Sequence, residues 1–384
     1  MKKIITIIGA RPQIIKSSAI SRAIKNSFSH ILDEIIVHTG QHYDENMSEV
    51  FFTEMNIPLP KYNLKVGSSS HANQTSEIMK GIEEILISEE ANGILIYGDT
   101  NSTLAGAIAA SKIHIPVFHV EAGLRSFNKS MPEEINRIMS DHVSTLLFCP
   151  TETALRNLKN EGISLSHTQK ASIDTPHVYL CGDIMLDNSL YFSKLSDENS
   201  TILSELNLEK NNFILVTIHR NANTDDKTNL NSIFTALIQI QKETNLDIVL
   251  PLHPRTKKMM AEYLDETIII ELEKSKKIKI IPPVGFLDII SLEKNSKLII
   301  TDSGGMQKEA FFFQKPCVIL RPETEWIEIV ENGNAILANA DEQKIVESTL
   351  ILLNKTDFTY PELYGDGKGA DFILTKISEY CQIN

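Results

Sequence analysis

The sequence predicts an α/β fold with two Rossmann-like domains, as its length, its strand pattern and the position of its polar clusters all indicate. The chain has 384 residues, and single hydrophobic cores stop growing at about 250 to 300 residues, so two cores are expected. Short apolar runs alternate with longer helical patterns, which is typical of parallel sheets with crossover helices. These runs outnumber the strands of one ordinary doubly wound sheet. They are KIITIIG, EIIVHTG, GILIYGD, PVFHVEA, LLFCPT, VYLCGD, FILVTIH, DIVLPLH, KIIPPV, KLIITD and CVILRP.

We place the change of domain near Gly182, where VYLCGDIMLDNSL is followed by the polar stretch SKLSDENSTILSELNLEKNN. Residues 1–181 are predicted to form the first domain and residues 182–365 the second. After about Tyr360 a glycine-rich loop leads into an apolar-periodic helix at about 366–384, and we expect this helix to pack back on the first domain. A ligand cleft is expected between the domains.

Composition and charge exclude several classes of protein. Hydrophobic residues make up 42% and charged residues 23% of the chain, as in soluble globular proteins. With 37 Lys and Arg against 50 Asp and Glu, the formal charge of −13 argues against a nucleic-acid partner. The first apolar run ends at Gly9, too early for a signal peptide, and no run approaches the roughly 18 to 20 apolar residues of a membrane span. We therefore expect a cytoplasmic protein, and its scattered cysteines are typical of reduced thiols.

Polar residues cluster where the predicted strands end. In open α/β sheets the ligand crevice lies outside the carboxyl ends of the strands, so these side chains can face one ligand. Any single one of them could instead cap a helix or satisfy a turn. The residues are Arg11, Gln41, Asp99, Glu121, His219, His253 and Ser303.

Two strand-to-helix turns have the features of anion sites. In GARPQIIK, Arg11 and a helix N-terminus can meet a diphosphate, with Lys16 one turn into the helix. Lys16 could also be an ordinary solvated helix residue. The dinucleotide fingerprint G-x-G-x-x-G is absent, which argues against a dehydrogenase with NAD or FAD.

The second anion signal is the segment DSGGMQKEA. Gly304 and Gly305 allow close approach of the backbone to a phosphate, and the dipole of the following helix favours the negative charge. Glu309 can accept hydrogen bonds from a ribose. A helix cap alone would explain Ser303 but not the two glycines.

Carboxylates and histidines supply candidate proton-transfer groups. Asp99 and Glu121 directly follow buried-type strands, where burial raises a carboxyl pKa. Glu133 follows Pro132 and could instead belong to a well-formed first helical turn. His219 and His253 end two strands of the second domain, and each could equally be a core or turn histidine. None of the histidines has a carboxylate-rich ligand set, so no metal site is expected.

The motifs GARPQIIK, HTGQHYD, YGDTNST, HVEAGLRS, PEEINR, TIHR, PLHP and DSGGMQKEA resemble those of the non-hydrolysing UDP-N-acetylglucosamine 2-epimerases. The resemblance covers about residues 4–370. It implies a fold like that of the B-type glycosyltransferases, a UDP-sugar between the domains, a homodimer, and no metal or redox cofactor.

The resemblance also implies a reaction and its residues. The family eliminates UDP with loss of the C2 proton, leaves a bound 2-acetamidoglucal, and re-adds UDP with the proton on the opposite face. Asp99, Glu121, Glu133 and His219 fall on catalytic positions. The implied substrate-binding positions are Arg11, Lys16, Gln41, His42, Arg220, His253, Phe286, Ser303, Gly304, Gly305 and Glu309.

The chain departs from the family pattern at several positions. Ala222 stands where an acidic residue is common, and Gln13 replaces a common Glu. Family members that are activated by their own substrate have other residues at the positions of Asp44 and Asn73. These differences, with GLRSFNKSMPEE, KYNL and LRPETEWIE, resemble the branch that acts on UDP-2,3-diacetamido-2,3-dideoxy-glucuronate for surface-polysaccharide synthesis. A glycosyltransferase or a non-catalytic nucleotide-sugar binder on the same architecture is the alternative of another class.

Overall fold

The apolar, β-branched runs form the strands of two parallel sheets in the computed structural model, which describes residues 1–40, 52 and 57–383. The chain divides into two compact units, residues 1–188 with 362–384 and residues 189–361. The division falls after Asn188, inside a helix, and the sequence predicted a change of domain near Gly182.

The described strands and helices alternate along the chain, as parallel sheets require. The strands are β1 (Lys2–Ile8), β2 (Leu32–His38), β3 (Tyr62–Asn63), β4 (Gly93–Tyr97), β5 (Val117–Val120), β6 (Leu146–Cys149), β7 (His177–Leu180), β8 (Phe213–Thr217), β9 (Asp247–Pro251), β10 (Ile278–Ile281), β11 (Leu298–Thr301), β12 (Cys317–Ile319) and β13 (Ala335–Leu337). The α-helices are α1 (Arg11–Ala23), α2 (His71–Ser88), α3 (Asn101–Lys112), α4 (Pro132–His142), α5 (Glu152–Asn160), α6 (Ile184–Asn199), α7 (Ile202–Glu205), α8 (Asn221–Thr224), α9 (Lys227–Thr244), α10 (Pro254–Tyr263), α11 (Glu266–Lys274), α12 (Phe286–Asn295), α13 (Gly304–Phe312), α14 (Ile327–Glu331), α15 (Glu342–Asn354) and α16 (Gly369–Ile383). A π-helical turn, Ile24–Phe28, extends α1.

Each sheet has one point where the strand order reverses direction. In the first unit the order is β3-β2-β1-β4-β5-β6-β7, so the reversal lies between β1 and β4. In the second unit the order is β10-β9-β8-β11-β12-β13, and the reversal lies between β8 and β11. Crossover helices leave these neighbouring strands in opposite directions, which opens a crevice at the strand ends.

Every apolar run that predicted a strand contains one. The sequence missed β3 and β13, which span only two and three residues. Strands this short lack the alternation on which a sequence prediction depends. The predicted α/β class with two parallel sheets is confirmed.

The C-terminal helix α16 belongs to the first unit and packs on α1. Its apolar face, with Ile373, Leu374 and Ile377, is buried in the same cluster as Ile4 and Leu95 of the sheet. The backbone N–H groups of Gly369 and Ala370 donate to Asp187 at 3.2 and 2.9 Å and fix the start of the helix. Burial raises the pKa of Asp187 to about 6, against the opposing effect of these hydrogen bonds.

No helix among residues 1–40, 52 and 57–383 is long and apolar enough to cross a membrane. All four cysteines are free thiols, and three of them are buried.

Removal of the buried Ile377 side chain tests the role of α16 in the first unit. Ile377→Ala leaves a cavity beneath a fully buried position, so we expect a loss of about 2 to 4 kcal/mol in the free energy of unfolding. Urea denaturation of the full chain measures this loss. Gln382→Ala, at an exposed position of the same helix, should change the free energy by less than about 0.5 kcal/mol. Equal effects of the two substitutions would contradict the packing described here.

Candidate active site

The first loop of the candidate site joins β1 to α1 and admits no side chain at Gly9. A Cβ atom there would lie 2.2 Å from the hydroxyl of Ser102 and 2.3 Å from that of Thr39. The loop therefore passes close to the loop after β2 and to the first turn of α3. It ends at Arg11, the exposed first residue of α1.

The buried side chain of Gln13 holds this loop in place. Its Oε1 accepts the backbone N–H groups of Gly9 and Ala10 at 2.9 and 3.2 Å. Its Nε2 donates to the carbonyl of Tyr97 and the hydroxyl of Thr103, both at 3.0 Å. The amide therefore ties the end of β1 to the end of β4, across the point where the strand order reverses.

Lys16 and Glu121 form a buried ion pair beside the end of β4. A Cβ atom on Gly98 would lie 3.2 Å from Glu121 Oε2 and 3.3 Å from Lys16 Nζ, so both charges lie against this backbone. Glu121 has a φ of 70°, a left-handed conformation that non-glycine residues rarely adopt. Such strain persists where the surroundings fix it and is common at functional sites. Here the N–H of Glu121 donates to the carbonyl of Phe148 at 3.1 Å.

Asp99 lies at the end of β4 and binds Arg137 of α4, with 2.5 Å between Oδ2 and NH2. Burial raises the pKa of Asp99 and the charge of Glu121 adds to this, while Arg137 and Lys16 oppose it. The net direction is upward, so Asp99 is better suited to hold a proton than an ordinary aspartate.

Glu133 and Glu134, adjacent in sequence, have different environments. Glu133 is exposed on the first turn of α4. Glu134 is 1% exposed and accepts the backbone N–H groups of Ser126 and Phe127, both at 2.9 Å. It also binds Arg137 at 2.9 Å. Burial raises the pKa of Glu134, but these hydrogen bonds outweigh burial and the net shift is downward.

A buried charge network lies behind these polar residues of the first unit. His119 of β5 contacts Asp141 through Nδ1 at 2.7 Å and the carbonyl of Gly98 through Nε2 at 2.9 Å. Arg125 binds the same carboxylate at 2.7 Å. Burial raises the pKa of Asp141, but the hydrogen bond and charge of His119 and the charge of Arg125 outweigh it, so the net shift is downward. This network fixes the backbone at Gly98 and the loop that follows β5.

In the second unit the fully buried Asp302 organises the end of β8. Its carboxylate accepts the backbone N–H groups of His219 at 3.1 Å and Arg220 at 3.0 Å, and the amide of Asn223 at 3.0 Å. His219 Nδ1 lies 3.2 Å from Asp302 Oδ1, while 48% of the His219 side chain is exposed. A carboxylate at Nδ1 fixes the orientation of the ring, which presents Nε2 to solvent or a ligand.

The turn after β11 leads directly into α13 and is open at its glycines. Ser303 caps the helix, since its hydroxyl accepts the N–H of Met306 at 3.4 Å. A Cβ atom on Gly304 would have Arg321 NH1 at 3.7 Å and Arg220 NH2 at 3.9 Å as neighbours. Glu325 Oε2 would lie at 3.8 Å from the same Cβ atom. Two guanidinium groups, one carboxylate and a helix N-terminus therefore surround this turn, and the guanidinium groups and the helix N-terminus are groups that can bind phosphate.

Two carboxylates of the second unit lie near this turn and α13. Glu325 binds Arg321 through both oxygens at 3.0 and 2.9 Å. Glu293 of α12 is 2% exposed, and its Oε2 has no hydrogen-bond partner among the described residues. Burial and the charge of Glu309 on α13 raise the pKa of Glu293 well above its ordinary value. Burial beside Glu309 therefore disfavours the charged form of Glu293.

The remaining predicted binding residues are His253, Phe286, Gln41 and His42. His253 is exposed and caps α10, since its Nδ1 accepts the N–H of Arg255 at 3.3 Å. Phe286 is buried at the start of α12, with its ring edge-on to Phe192 at 5.0 Å. Gln41 and His42 lie outside the described residues, as does Asp44. No group of three or more His, Cys, Asp or Glu side chains within the described ranges could hold a metal ion.

The fold and its polar sites match one family. Residues 25–378 match the family described as UDP-N-acetylglucosamine 2-epimerase. A UDP-N-acetylglucosamine 2-epimerase homolog of Methanococcus maripaludis is 48% identical over 96% of this chain and 97% of its own. The UDP-2,3-diacetamido-2,3-dideoxy-D-glucuronate 2-epimerase of Pseudomonas aeruginosa is 47% identical over 98% of this chain and 99% of its own. The crystal structure of Methanocaldococcus jannaschii UDP-GlcNAc 2-epimerase with UDP-GlcNAc and UDP has a TM-score of 0.83 at 41% identity, covering 98% of this chain and 99% of that one.

The chain belongs to the UDP-N-acetylglucosamine 2-epimerase family. The resemblance seen in the motifs is thereby confirmed, as are the isomerase class and the pair of Rossmann-like units known from B-type glycosyltransferases.

Sequence reasoning missed several residues that this epimerase-family chain places around the site. Arg321 lies two residues after the end of β12, so the rule that selected the other strand-end residues would have selected it too. Arg137 lies three residues after Glu134, a helical spacing that predicts contact. The contact between Asp141 and His119 joins residues 22 positions apart, and a single sequence carries no local signal for it.

Loss of the Glu134 charge tests how strongly its hydrogen bonds to the N–H groups of Ser126 and Phe127 stabilise the loop after β5. In Glu134→Gln the side-chain NH2 group must face one of the donors that the carboxylate now accepts. We therefore expect the free energy of unfolding at pH 7 to fall by about 2 to 4 kcal/mol. The pKa of Glu134 is lower in the folded state than in the unfolded state, so its charged form stabilises the fold at pH values above the unfolded-state pKa of about 4.3. This stabilisation is lost as the pH falls through the folded-state pKa. Denaturation from pH 7 to pH 3 should therefore show the two proteins converging below about pH 4.

The matched control is Glu133→Gln. Glu133 is exposed, so its substitution should change the free energy of unfolding by less than about 0.5 kcal/mol at every pH. A Glu134→Gln protein as stable as this control at pH 7 would show that the Glu134 charge contributes nothing to the free energy of unfolding.

Proposed function

We propose that this chain is a non-hydrolysing UDP-N-acetylglucosamine 2-epimerase, which interconverts UDP-N-acetylglucosamine and UDP-N-acetylmannosamine by elimination and re-addition of UDP. The observation that carries the proposal is the pair of carboxylates, Asp99 and Glu121, on neighbouring strands with a separate cation bound to each. The M. jannaschii relative, whose structure contains UDP-GlcNAc and UDP, supports the choice of substrate.

The carboxylates of the first unit act on the sugar. Inversion at C2 needs one group to remove the proton and another to return it on the opposite face. Lys16 favours the charged form of Glu121, which makes this residue the base in one direction. Asp99, with its raised pKa, supplies the proton. Glu133, exposed beside this site, is a further catalytic group that assists proton transfer.

The second unit binds the UDP and stabilises it while it is detached. Arg220 and the N-terminus of α13, with Ser303, Gly304 and Gly305, hold the diphosphate. Glu309 binds the ribose, and His219 protonates or hydrogen-bonds the departing phosphate through Nε2. The remaining substrate contacts in this proposal are Arg11, Lys16, Gln41, His42, His253 and Phe286.

A second substrate has specific support. The P. aeruginosa relative, 47% identical over 98% of this chain, is named for UDP-2,3-diacetamido-2,3-dideoxy-D-glucuronate. The same C2 inversion on that sugar would use the same carboxylates. Either substrate places the reaction in surface-polysaccharide synthesis, and the free thiols fit a cytoplasmic location. A homodimer is expected from the family.

Solvent exchange separates the epimerase from its rivals. In deuterated water with UDP-N-acetylglucosamine, an epimerase incorporates deuterium at C2, which proton NMR detects. A glycosyltransferase supplied with an acceptor releases free UDP without this exchange, a hydrolysing relative yields free N-acetylmannosamine, and a nucleotide-sugar binder does neither. Repeating the assay with the diacetamido uronate compares the two substrates. Absence of C2 exchange with both sugars would refute the proposed reaction.

Glu121→Gln removes the proposed base at C2 without changing the size of the side chain. We expect C2 exchange to fall by a factor of about 10² to 10⁴, the usual contribution of a proton-transfer group. Affinity for UDP, measured by calorimetry, should stay within about twofold of wild type because the second unit supplies most of the proposed UDP contacts. Glu83→Gln, at an exposed carboxylate of α2, is the control and should retain the wild-type rate. Near-normal exchange in Glu121→Gln would remove Glu121 from the mechanism.

Gly304→Ala tests backbone approach to the diphosphate. The added methyl group would have no neighbour closer than 3.7 Å, so the protein should fold as wild type. The methyl group would nevertheless occupy space next to a bound phosphate, and we expect the dissociation constant for UDP to rise about tenfold or more. Gly67→Ala, where a Cβ meets nothing within 4 Å, should leave UDP binding unchanged. Unaltered UDP affinity in Gly304→Ala would show that the phosphate lies elsewhere.

A further inference from the structure

Phe127 lies in an unusual position in the loop that follows β5. It is 79% exposed, although it is a large apolar residue. Its backbone has a φ of 57°, in the left-handed region that bulky residues rarely adopt. Scattered exposed apolar residues are ordinary, but an exposed ring on a strained backbone next to a site calls for an explanation.

The strain at Phe127 is imposed by groups of the candidate site. Glu134 accepts the N–H groups of Ser126 and Phe127, both at 2.9 Å, and fixes the backbone at the tip of the loop. The same carboxylate binds Arg137 at 2.9 Å, and Arg137 binds Asp99 at 2.5 Å. The loop tip and the carboxylate of Asp99 are therefore oriented by one shared pair of charges.

The base of the loop is fixed as firmly as its tip. Arg125 is buried and binds Asp141 at 2.7 Å and Glu161 at 2.7 Å. The N–H of Gly123 donates to the same Asp141 at 3.1 Å. A loop held at both ends positions its exposed ring with little conformational freedom, as a binding residue requires.

We propose that the ring of Phe127 contacts the methyl of the acetamido group on C2 of the sugar and selects acetamido sugars over sugars with a hydroxyl there. This inference rests on the proposed function, in which Asp99 acts at C2. The substituent on C2 is the part of the substrate nearest to the reacting carbon, and its methyl is the apolar atom that a phenyl ring recognises. Phe127 is thus a specificity-determining residue rather than a catalytic one.

Binding measurements with two sugar nucleotides test the proposal directly. UDP-N-acetylglucosamine and UDP-glucose differ only in the C2 substituent, so calorimetry on both isolates the acetamido contact. In Phe127→Ala we expect the preference for the acetamido sugar to fall about fivefold, the scale of one buried methyl group. Affinity for UDP alone should be unchanged. Equal loss of affinity for all three ligands would overturn the proposal, because it would show a general disturbance of the site.

Two further variants separate the ring from the strained backbone. Phe127→Asn places a residue that tolerates positive φ and should lose the preference as Phe127→Ala does. Recovery of the preference in Phe127→Asn would overturn the proposal in favour of a purely conformational role. Ile87→Ala, at a position 60% exposed at the C-terminal end of α2, controls for loss of an exposed apolar side chain. It should keep the wild-type preference.

The proposed reaction and the proposed contact fail in different ways. Calorimetry needs no turnover, so a wild-type protein without C2 exchange that still loses its preference on Phe127→Ala would refute the reaction alone. A wild-type protein that exchanges C2 while Phe127→Ala keeps its full preference would refute the contact alone. Light scattering supplies the last check: a change of molecular mass in Phe127→Ala would assign the ring to a contact between subunits and overturn the proposal.

Discussion

Four side chains that each accept two consecutive backbone N–H groups hold the key turns of both units. Each of these turns has backbone donors that no strand or helix can satisfy. An unmade hydrogen bond of this kind costs about 1 to 3 kcal/mol, so one acceptor that meets two donors fixes the turn strongly. The acceptors and their donors are Gln13 for residues 9–10, Glu134 for 126–127, Asp302 for 219–220 and Asp187 for 369–370.

The charge of each acceptor follows from its other neighbours. Glu134 also faces Arg137 and is a carboxylate. Gln13 must donate to the carbonyl of Tyr97 while it accepts from the loop, which a carboxylate cannot do. A neutral amide there adds no third negative charge near Glu121 and Asp99. The replacement of a common family Glu by Gln13 is therefore compatible with an intact loop.

Local patterns predicted most of the fold and the strand-end positions of the candidate residues, but not the contacts that hold those residues. Strand ends are visible in one sequence because apolar runs stop there, and sheet order then brings Arg11, Asp99 and Glu121 to neighbouring strands. The pair Glu133 and Glu134 shows the limit of this reasoning. Both fit the first turn of a helix, and only the three-dimensional path of the loop after β5 shows that Glu134 is the buried one. The left-handed conformation of Glu121 is likewise set by the carbonyl of Phe148, 27 residues away in number but adjacent in the sheet.

The two carboxylates proposed to act at C2 differ because their cations are shared unequally. Lys16 pairs with Glu121, whereas Arg137 divides its charge between Asp99 and Glu134. A cation shared between two carboxylates offsets the effect of burial on the pKa of either one less completely. The pKa of Asp99 is accordingly raised in spite of Arg137. A raised pKa suits Asp99 to carry a proton, and Glu121 beside Lys16 is the proposed base, so the two like groups can take the unlike roles that inversion demands. Since the reaction is reversible, the two proposed roles exchange when the opposite epimer is the substrate.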